Sequence, residues 1–252
     1  CSVAGVYLTR TSAQGMTIDL AEGSRFLTLF EFLDGEPLGE DLADVETTGR
    51  GLALIHQIGE AFRGPPSLRK LELPHLLDAP LELLLSAPTM SEALRQDYEA
   101  IGGLLRDRVK SCGDLSRVEC HGDCHGNNNF MTDDAAGTRI ASFFDFDDAG
   151  SGFRAYDLSV YLWAIMPRTF DSPLSGAPLE RWRSYVRGYR SAEGLSASDW
   201  KAVAPFVAIR NLWLLSEYAG QASVWGTQLL PTTALKKQAQ LLKFWAGMDT
   251  PE

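Results

Sequence analysis

No stretch of the 252-residue sequence approaches the roughly 20 consecutive apolar residues of a membrane-spanning helix, so no membrane span is expected. Basic residues are in the minority. Lys and Arg number 23 against 33 Asp and Glu, a formal net charge of −10. A nucleic-acid surface needs clustered cations, so that partner class is excluded. An acidic field suits a cationic substrate or a basic protein segment; it equally suits a molecule kept apart from its copies by like charge. Cysteine is scarce, and Cys1, Cys112, Cys120 and Cys124 show no disulfide-framework spacing. A reducing, cytoplasmic setting is the expectation. Internal repeats, low-complexity linkers and a Walker A phosphate loop are absent too. The chain begins with Cys rather than Met, so a processed or partial chain is expected, with a lipoprotein start as a minor alternative. The 45% hydrophobic content is enough for a sizeable core in one large domain or two small ones.

What is present centres on residues 118–148. Apolar runs at 118–120 and 141–144 are predicted strands, and each ends in polar residues. The first delivers His121, Asp123 and Asn128; the second delivers Asp145, Asp147 and Asp148. Turn formers at 132–137 predict a hairpin-like connection that sets the two runs side by side. One amide and several carboxylates would then converge. Such hard oxygen donors suit Mg²⁺ with phosphate and water completing its shell. A carboxylate left off the metal can accept a hydroxyl proton. Those are the parts of phosphoryl transfer, in which positioning and charge neutralisation dominate.

HGDCHGNN (121–128) followed by FFDFDD (143–148) resembles the catalytic and metal motifs of the aminoglycoside phosphotransferase and choline kinase superfamily. The Cys-His after Asp123, the D-x-D-D run and Tyr156-Asp157-Leu158 are most similar to the bacterial stress-response kinase A group, whose members phosphorylate protein Ser/Thr. The resemblance implies an α+β, protein-kinase-like fold: N-lobe strands and hinge at 1–33, then a helical C-lobe at 34–252. It implies an ATP- and Mg-dependent phosphotransferase with a hydroxyl acceptor, either protein Ser/Thr or a small alcohol such as an aminoglycoside, choline or homoserine-type compound. Asp123 matches the catalytic base, and Asn128 and Asp145 match the metal ligands. Asp147 stands open between a further metal contact and a structural role. Glu31, Phe32 and Leu33 match the hinge that hydrogen-bonds adenine. His121 and Asp157 match residues that brace the catalytic loop. Gly122 replaces the arginine that receives an activation-loop phosphate in typical protein kinases, so that switch is not expected.

The glycine-rich strand pair and the lysine that grip the ATP phosphates in such enzymes have no counterpart before residue 25. Either an upstream segment is missing or the nucleotide site is incomplete, and in the second case a catalytically impaired interaction module is the alternative. Two competing motifs are weak. Cys120, His121, Cys124 and His125 lack a second ligand pair for zinc. G-x-G-x-x-A at 150–155 follows a carboxylate run that would repel a pyrophosphate.

Along the rest of the chain, 5–9 and 16–20 are predicted to pair as a hairpin, with a third strand at 25–32. Helices are predicted over 41–62, 92–110 capped by Ser91, 156–166, 179–192, from Ser198 or Asp199 to 219, and 233–248. Residues 150–152 are predicted to turn into the third of these. His56 falls on an apolar helix face, where a satisfied core histidine is the simpler expectation. Trp182, Tyr185 and Trp213 are core by their spacing, with an acceptor pocket as the other possibility.

Overall fold

The computed structural model describes residues 1–21, 23–64, 67 and 69–252. It is an α+β molecule whose helices form the larger part. Among the described residues, the first 37 hold six short strands: β1 (Ser2–Val3), β2 (Val6–Tyr7), β3 (Met16–Leu20), β4 (Gly23–Leu27), β5 (Leu29–Phe30) and β6 (Glu36–Pro37). Then follow α1 (Leu42–Ala61), β7 (Lys70–Leu71), a π-turn at Pro74–Asp78, α2 (Ala79–Leu85) and α3 (Glu92–Ser111). The central strands are β8 (Arg117–Cys120), β9 (Asn129–Asp133), β10 (Arg139–Phe143) and β11 (Gly150–Phe153). Helices α4 (Arg154–Ile165), α5 (Gly176–Ala192), α6 (Ala197–Gly220), α7 (Ala222–Trp225) and α8 (Thr232–Gly247) complete the chain. Among the described residues no helix is long and apolar enough to cross a membrane.

Short polar side chains set the helix starts. Asp41 accepts from the amides of Ala43 (2.9 Å) and Asp44 (3.1 Å) ahead of α1. Ser91 caps α3 as expected, and Ser196, earlier than expected, caps α6 by accepting from Asp199 N. Each cap satisfies donors that the first turn would otherwise leave orphaned. Helices α1 and α5 approach closely because each offers a glycine where they meet. A Cβ on Gly49 would overlap the Tyr185 carbonyl oxygen, and one on Gly188 would overlap the Glu46 carbonyl oxygen. Around this contact Trp182, Tyr185 and Tyr189 are fully buried, and Phe206 of α6 and Trp245 of α8 join the same core. Trp182 and Tyr185 are thus core residues.

The strands pair differently from expectation. Runs 118–120 and 141–144 are not neighbours. β10 pairs antiparallel with β9, placing Phe143 opposite Asn129, whereas β8 pairs with β11. The hairpin is real, but its first arm is 129–133. Phe130 and Met131 make that segment a strand, and the three asparagines before them disguise it. Residues 150–152 are strand rather than turn, and their glycines let β7 lie against β11: a Cβ on Gly152 would collide with Leu71. At the N-terminus β3 pairs with β4 and β2 with β5, in place of a 5–9/16–20 hairpin. β1 and β6 join the central sheet, in the order β1-β10-β9-β6.

Candidate active site

The loop between β8 and β9 is held by Asp157, in the first turn of α4. Its Oδ2 accepts from the amide of His121 (2.7 Å) and its Oδ1 from the amide of Gly122 (2.8 Å). Oδ2 also meets His56 Nε2 at 2.9 Å, and His56 Nδ1 meets the Tyr189 hydroxyl at 2.7 Å. All of these lie in the protein interior. Burial pushes the Asp157 carboxyl up, but the His56 hydrogen bond, the charges of His56 and His121 and the Gly122 amide outweigh it, so its pKa lies below the usual value. His56 is thus a satisfied core histidine that orients the brace.

A second set of ties joins the loop to residues 143–148. His121 Nε2 meets the Phe144 carbonyl oxygen at 3.0 Å, and Phe144 N donates to the Asn128 carbonyl at 3.1 Å. Gly122, at φ +86°, lies so close to the Asp148 carbonyl that any Cβ would clash. Both its conformation and its neighbour require glycine there.

Within this frame Asn128 turns its amide nitrogen to Asp123, donating to the backbone oxygen (2.9 Å) and to Oδ2 (3.3 Å). Its own side-chain oxygen is left without a partner among the described residues. Asn129 instead faces α1, donating to Thr48 Oγ1, and Asn127 is exposed. Asp145 follows β10 at φ +62°, a conformation uncommon outside glycine. Its carboxylate and that of Asp147 are exposed and make no ion pair among the described residues, whereas Asp148 pairs with Arg69. Asp123, Asp145 and Asp147 do not form a set whose oxygens all lie within 4.8 Å of one another. Asn128 and Asp145 are brought together through the backbone, one residue beyond the Asn128–Phe144 hydrogen bond. One amide oxygen and one or two free carboxylates are the donor set of a hard divalent cation that keeps positions for phosphate and water.

Beside these carboxylates opens a cleft of about 740 Å³. Glu31, Phe32 and Leu33 line it together with Phe144, Asp145 and Asp147, and the Phe130 ring, also in the lining, lies 4.8 Å from that of Phe144 at a tilt of 53°. The Glu31 amide is already donated to the Gly5 carbonyl (2.7 Å). The amides of Phe32 and Leu33 have no partner among the described residues.

Sequence reasoning missed Arg210. This residue of α6 is 4% exposed and forms an ion pair through Nη2 with Asp123 Oδ1. The second Asp123 oxygen faces His125 Nε2 at 3.5 Å. The signal was available: Arg210 is the lone charge in the run AVAPFVAIRNLWLL, and a buried arginine needs a paired anion. The zinc alternative finds no support in the geometry. Cys124 lies 3.9 Å from the Tyr185 hydroxyl and His125 sits by Asp123. His56, Cys120 and Asp157 do cluster, but both imidazole nitrogens are engaged and burial holds the Cys120 thiol well above its usual pKa.

Residues 3–204 match the Phosphotransferase enzyme family, APH. The chain belongs to that family. A protein of Deinococcus radiodurans, itself uncharacterized, is 35% identical over 84% of this chain and 60% of its own length. One from Synechocystis is 25% identical over 81% and 55%. The chain thus spans a little over half the length of these curated relatives. Among solved structures, a microcompartment-associated aminopropanol kinase superposes with a TM-score of 0.76 at 23% identity, over 100% of this chain and 78% of that one. An amicoumacin kinase in complex with AMP-PNP, Ca²⁺ and Ami gives 0.72 at 18% identity, over 97% and 72%. A Plasmodium vivax ethanolamine kinase gives 0.55 at 17%, over 96% and 67%. At these identities the likeness shows the fold, which is protein-kinase-like.

Proposed function

We propose that the chain is the catalytic part of an ATP- and Mg²⁺-dependent phosphotransferase acting on a small hydroxyl compound. The observation that carries the reading is the pairing of Asp123 with Asn128 on a loop tied at Phe144 to the strand end bearing Asp145. Residues 1–33 serve as N-lobe strands and hinge, and 34–252 as the C-lobe. The apolar cleft at Phe32 and Leu33 suits a planar base, with two unpaired amides to meet its edge. Asn128 and Asp145, with Asp147 as a further contact, would hold Mg²⁺, whose bound charge neutralises the phosphates.

In the transfer, the acceptor oxygen forms a bond to the γ-phosphorus as the bond to the β,γ-bridging oxygen breaks, leaving ADP and a phosphate ester. The hydroxyl proton passes to Asp123 Oδ2, which makes the longer contacts, to Asn128 Nδ2 (3.3 Å) and His125 Nε2 (3.5 Å), whereas Oδ1 is held in the ion pair with buried Arg210. A small acceptor is favoured over protein Ser/Thr. The comparison structures named as kinases of aminopropanol, amicoumacin and ethanolamine act on small molecules, and they support this choice.

Phosphate transfer from radiolabelled ATP to a panel of small alcohols, with and without Mg²⁺, tests the reading. Asp123→Asn should lower the rate by about 10²–10⁴-fold with the fold intact. Equal rates in both proteins would remove Asp123 from its role. No transfer by wild type to any acceptor would favour the non-catalytic module.

A further inference from the structure

Beyond α8 the chain turns extended at Met248 (φ −79°, ψ 158°), and residues 248–252 run across α6 and α5 as a strap. Side chains of three helices donate to it. Arg108 of α3 reaches the carbonyl of Ala246 and, at 2.7 Å, that of Met248. From α5, Trp182 Nε1 donates to the Pro251 carbonyl (2.9 Å) and Arg183 Nε to that of Glu252 (2.8 Å). Trp200 Nε1 of α6 meets the Glu252 carboxylate at 3.2 Å. Asp249 and Glu252 are exposed, whereas Thr250 is only 8% exposed.

The Thr250 hydroxyl enters α6 itself. Its oxygen accepts from Ala204 N (3.1 Å), and its proton goes to the Trp200 carbonyl (2.7 Å). Those two groups stand four residues apart and make up one rung of the helix ladder. At the next rung Pro205 has no N–H to offer the Lys201 carbonyl, and its ring crowds that oxygen. A helix bends where a side chain enters the ladder beside a proline. On either side of this point α6 is anchored. Ahead of it, Asp199 accepts from the Ser116 amide (2.9 Å) and hydroxyl (2.7 Å), just before β8. Beyond it, Arg210 forms the ion pair with Asp123. The buried Arg210 guanidinium stands 4.6 Å from the Trp213 ring centre and 5.5 Å from that of Trp163. Packed so, it has little room to compensate for a shift of its own backbone. Arg210 lies five residues beyond Pro205, about 7.5 Å along the axis. A change of about 10° in the bend would carry its backbone about 1.3 Å, and a displacement of that order is felt at a reacting centre.

We propose that Thr250 is a positioning residue for phosphate transfer: its hydroxyl sets the bend of α6 that keeps Arg210 on Asp123. The inference rests on the phosphotransferase reading.

Thr250→Val keeps the side-chain shape and removes the hydroxyl. Ala204 N and Trp200 O are then left to each other, so no buried group is orphaned and the variant should fold. Thr250→Ala, set against Thr250→Ser, repeats the test should the valine not be accommodated. Steady-state transfer by the full chain should show kcat lowered about tenfold to a hundredfold in Thr250→Val, KM for ATP unchanged, and most of the rate restored in Thr250→Ser. In an Arg210→Gln background, Thr250→Val should lower kcat no further. Asp249→Asn, whose exposed carboxylate lies 3.5 Å from Arg108, should change nothing. An undiminished kcat in Thr250→Val would overturn the proposal. So would the same proportional loss in the Arg210→Gln background, or a rise in KM for ATP that accounts for the loss. Hydrogen–deuterium exchange at residues 121–128 and 205–212 reads the coupling without activity. Both segments should exchange faster in Thr250→Val than in wild type, and unchanged exchange at 121–128 would overturn the coupling. Faster exchange with no transfer by wild type to any acceptor would sink the phosphotransferase reading and leave the link from strap to loop standing. Transfer by wild type that is indifferent to Thr250→Val would do the reverse.

Discussion

The helical body and the N-terminal strands treat their apolar residues in opposite ways. From α1 onward the large side chains close on one another: Leu52, Tyr98, Tyr185, Phe206 and Trp245 have no exposed surface. In the first 33 residues Tyr7, Leu8, Met16, Phe26, Leu29, Phe30 and Phe32 are all more than half exposed. The body is held by non-local contacts that no single helix could supply. The strands are held by two-residue and five-residue ladders with little beneath them. Substitutions should therefore cost much in one region and little in the other.

The largest effect is expected at Asp157. Replacing it with Ala would strand His56 and two backbone amides in the interior, and urea unfolding should show a loss of about 3–5 kcal/mol. Next comes the α1–α5 contact. Gly188→Ala would drive a methyl into the Glu46 carbonyl, and a cost of about 1–3 kcal/mol should survive the gain in helix propensity. Acid should act through the same brace. The folded-state pKa of Asp157 is lowered, so its contribution is present above the unfolded value near 4 and is lost as pH falls through the folded value. Stability curves should therefore decline more gently below about pH 4 in Asp157→Asn than in wild type. The smallest effect belongs to the strands. Phe26→Ser should change stability by no more than about 0.5 kcal/mol. A loss comparable to that of Gly188→Ala would mean that the N-terminal face is covered in solution and would break the contrast.

The same contrast explains what could be foreseen. Helix positions were legible because each carries its own record. Asp41 and Ser91 mark starts, and Leu94, Tyr98, Ile101 and Leu105 repeat at the helical period and are all buried. The α+β kinase-like fold and the family followed from two short motifs. Strand pairing was not legible. Two-residue strands carry no period, and their partners are chosen by surfaces elsewhere in the chain. Val118–Cys120 and the 141–144 run look alike in sequence yet belong to different sheets. Within the site, the four-residue spacing from Asp123 singled out Asn128 among three consecutive asparagines, and only that one touches Asp123. Arg210 escaped because it reaches the site from α6, well over thirty residues beyond the motifs in chain order. The packing of α6 against α4, whose first turn holds the loop through Asp157, brings it there.

Manganese binding followed by electron paramagnetic resonance, in the presence of a non-hydrolysable ATP analogue, tests most directly whether the loop and the strand end share one ion. Asn128→Ala and Asp145→Ala should each weaken it at least about tenfold, with unfolding midpoints unchanged. Manganese held equally well by wild type and both variants would contradict the shared site.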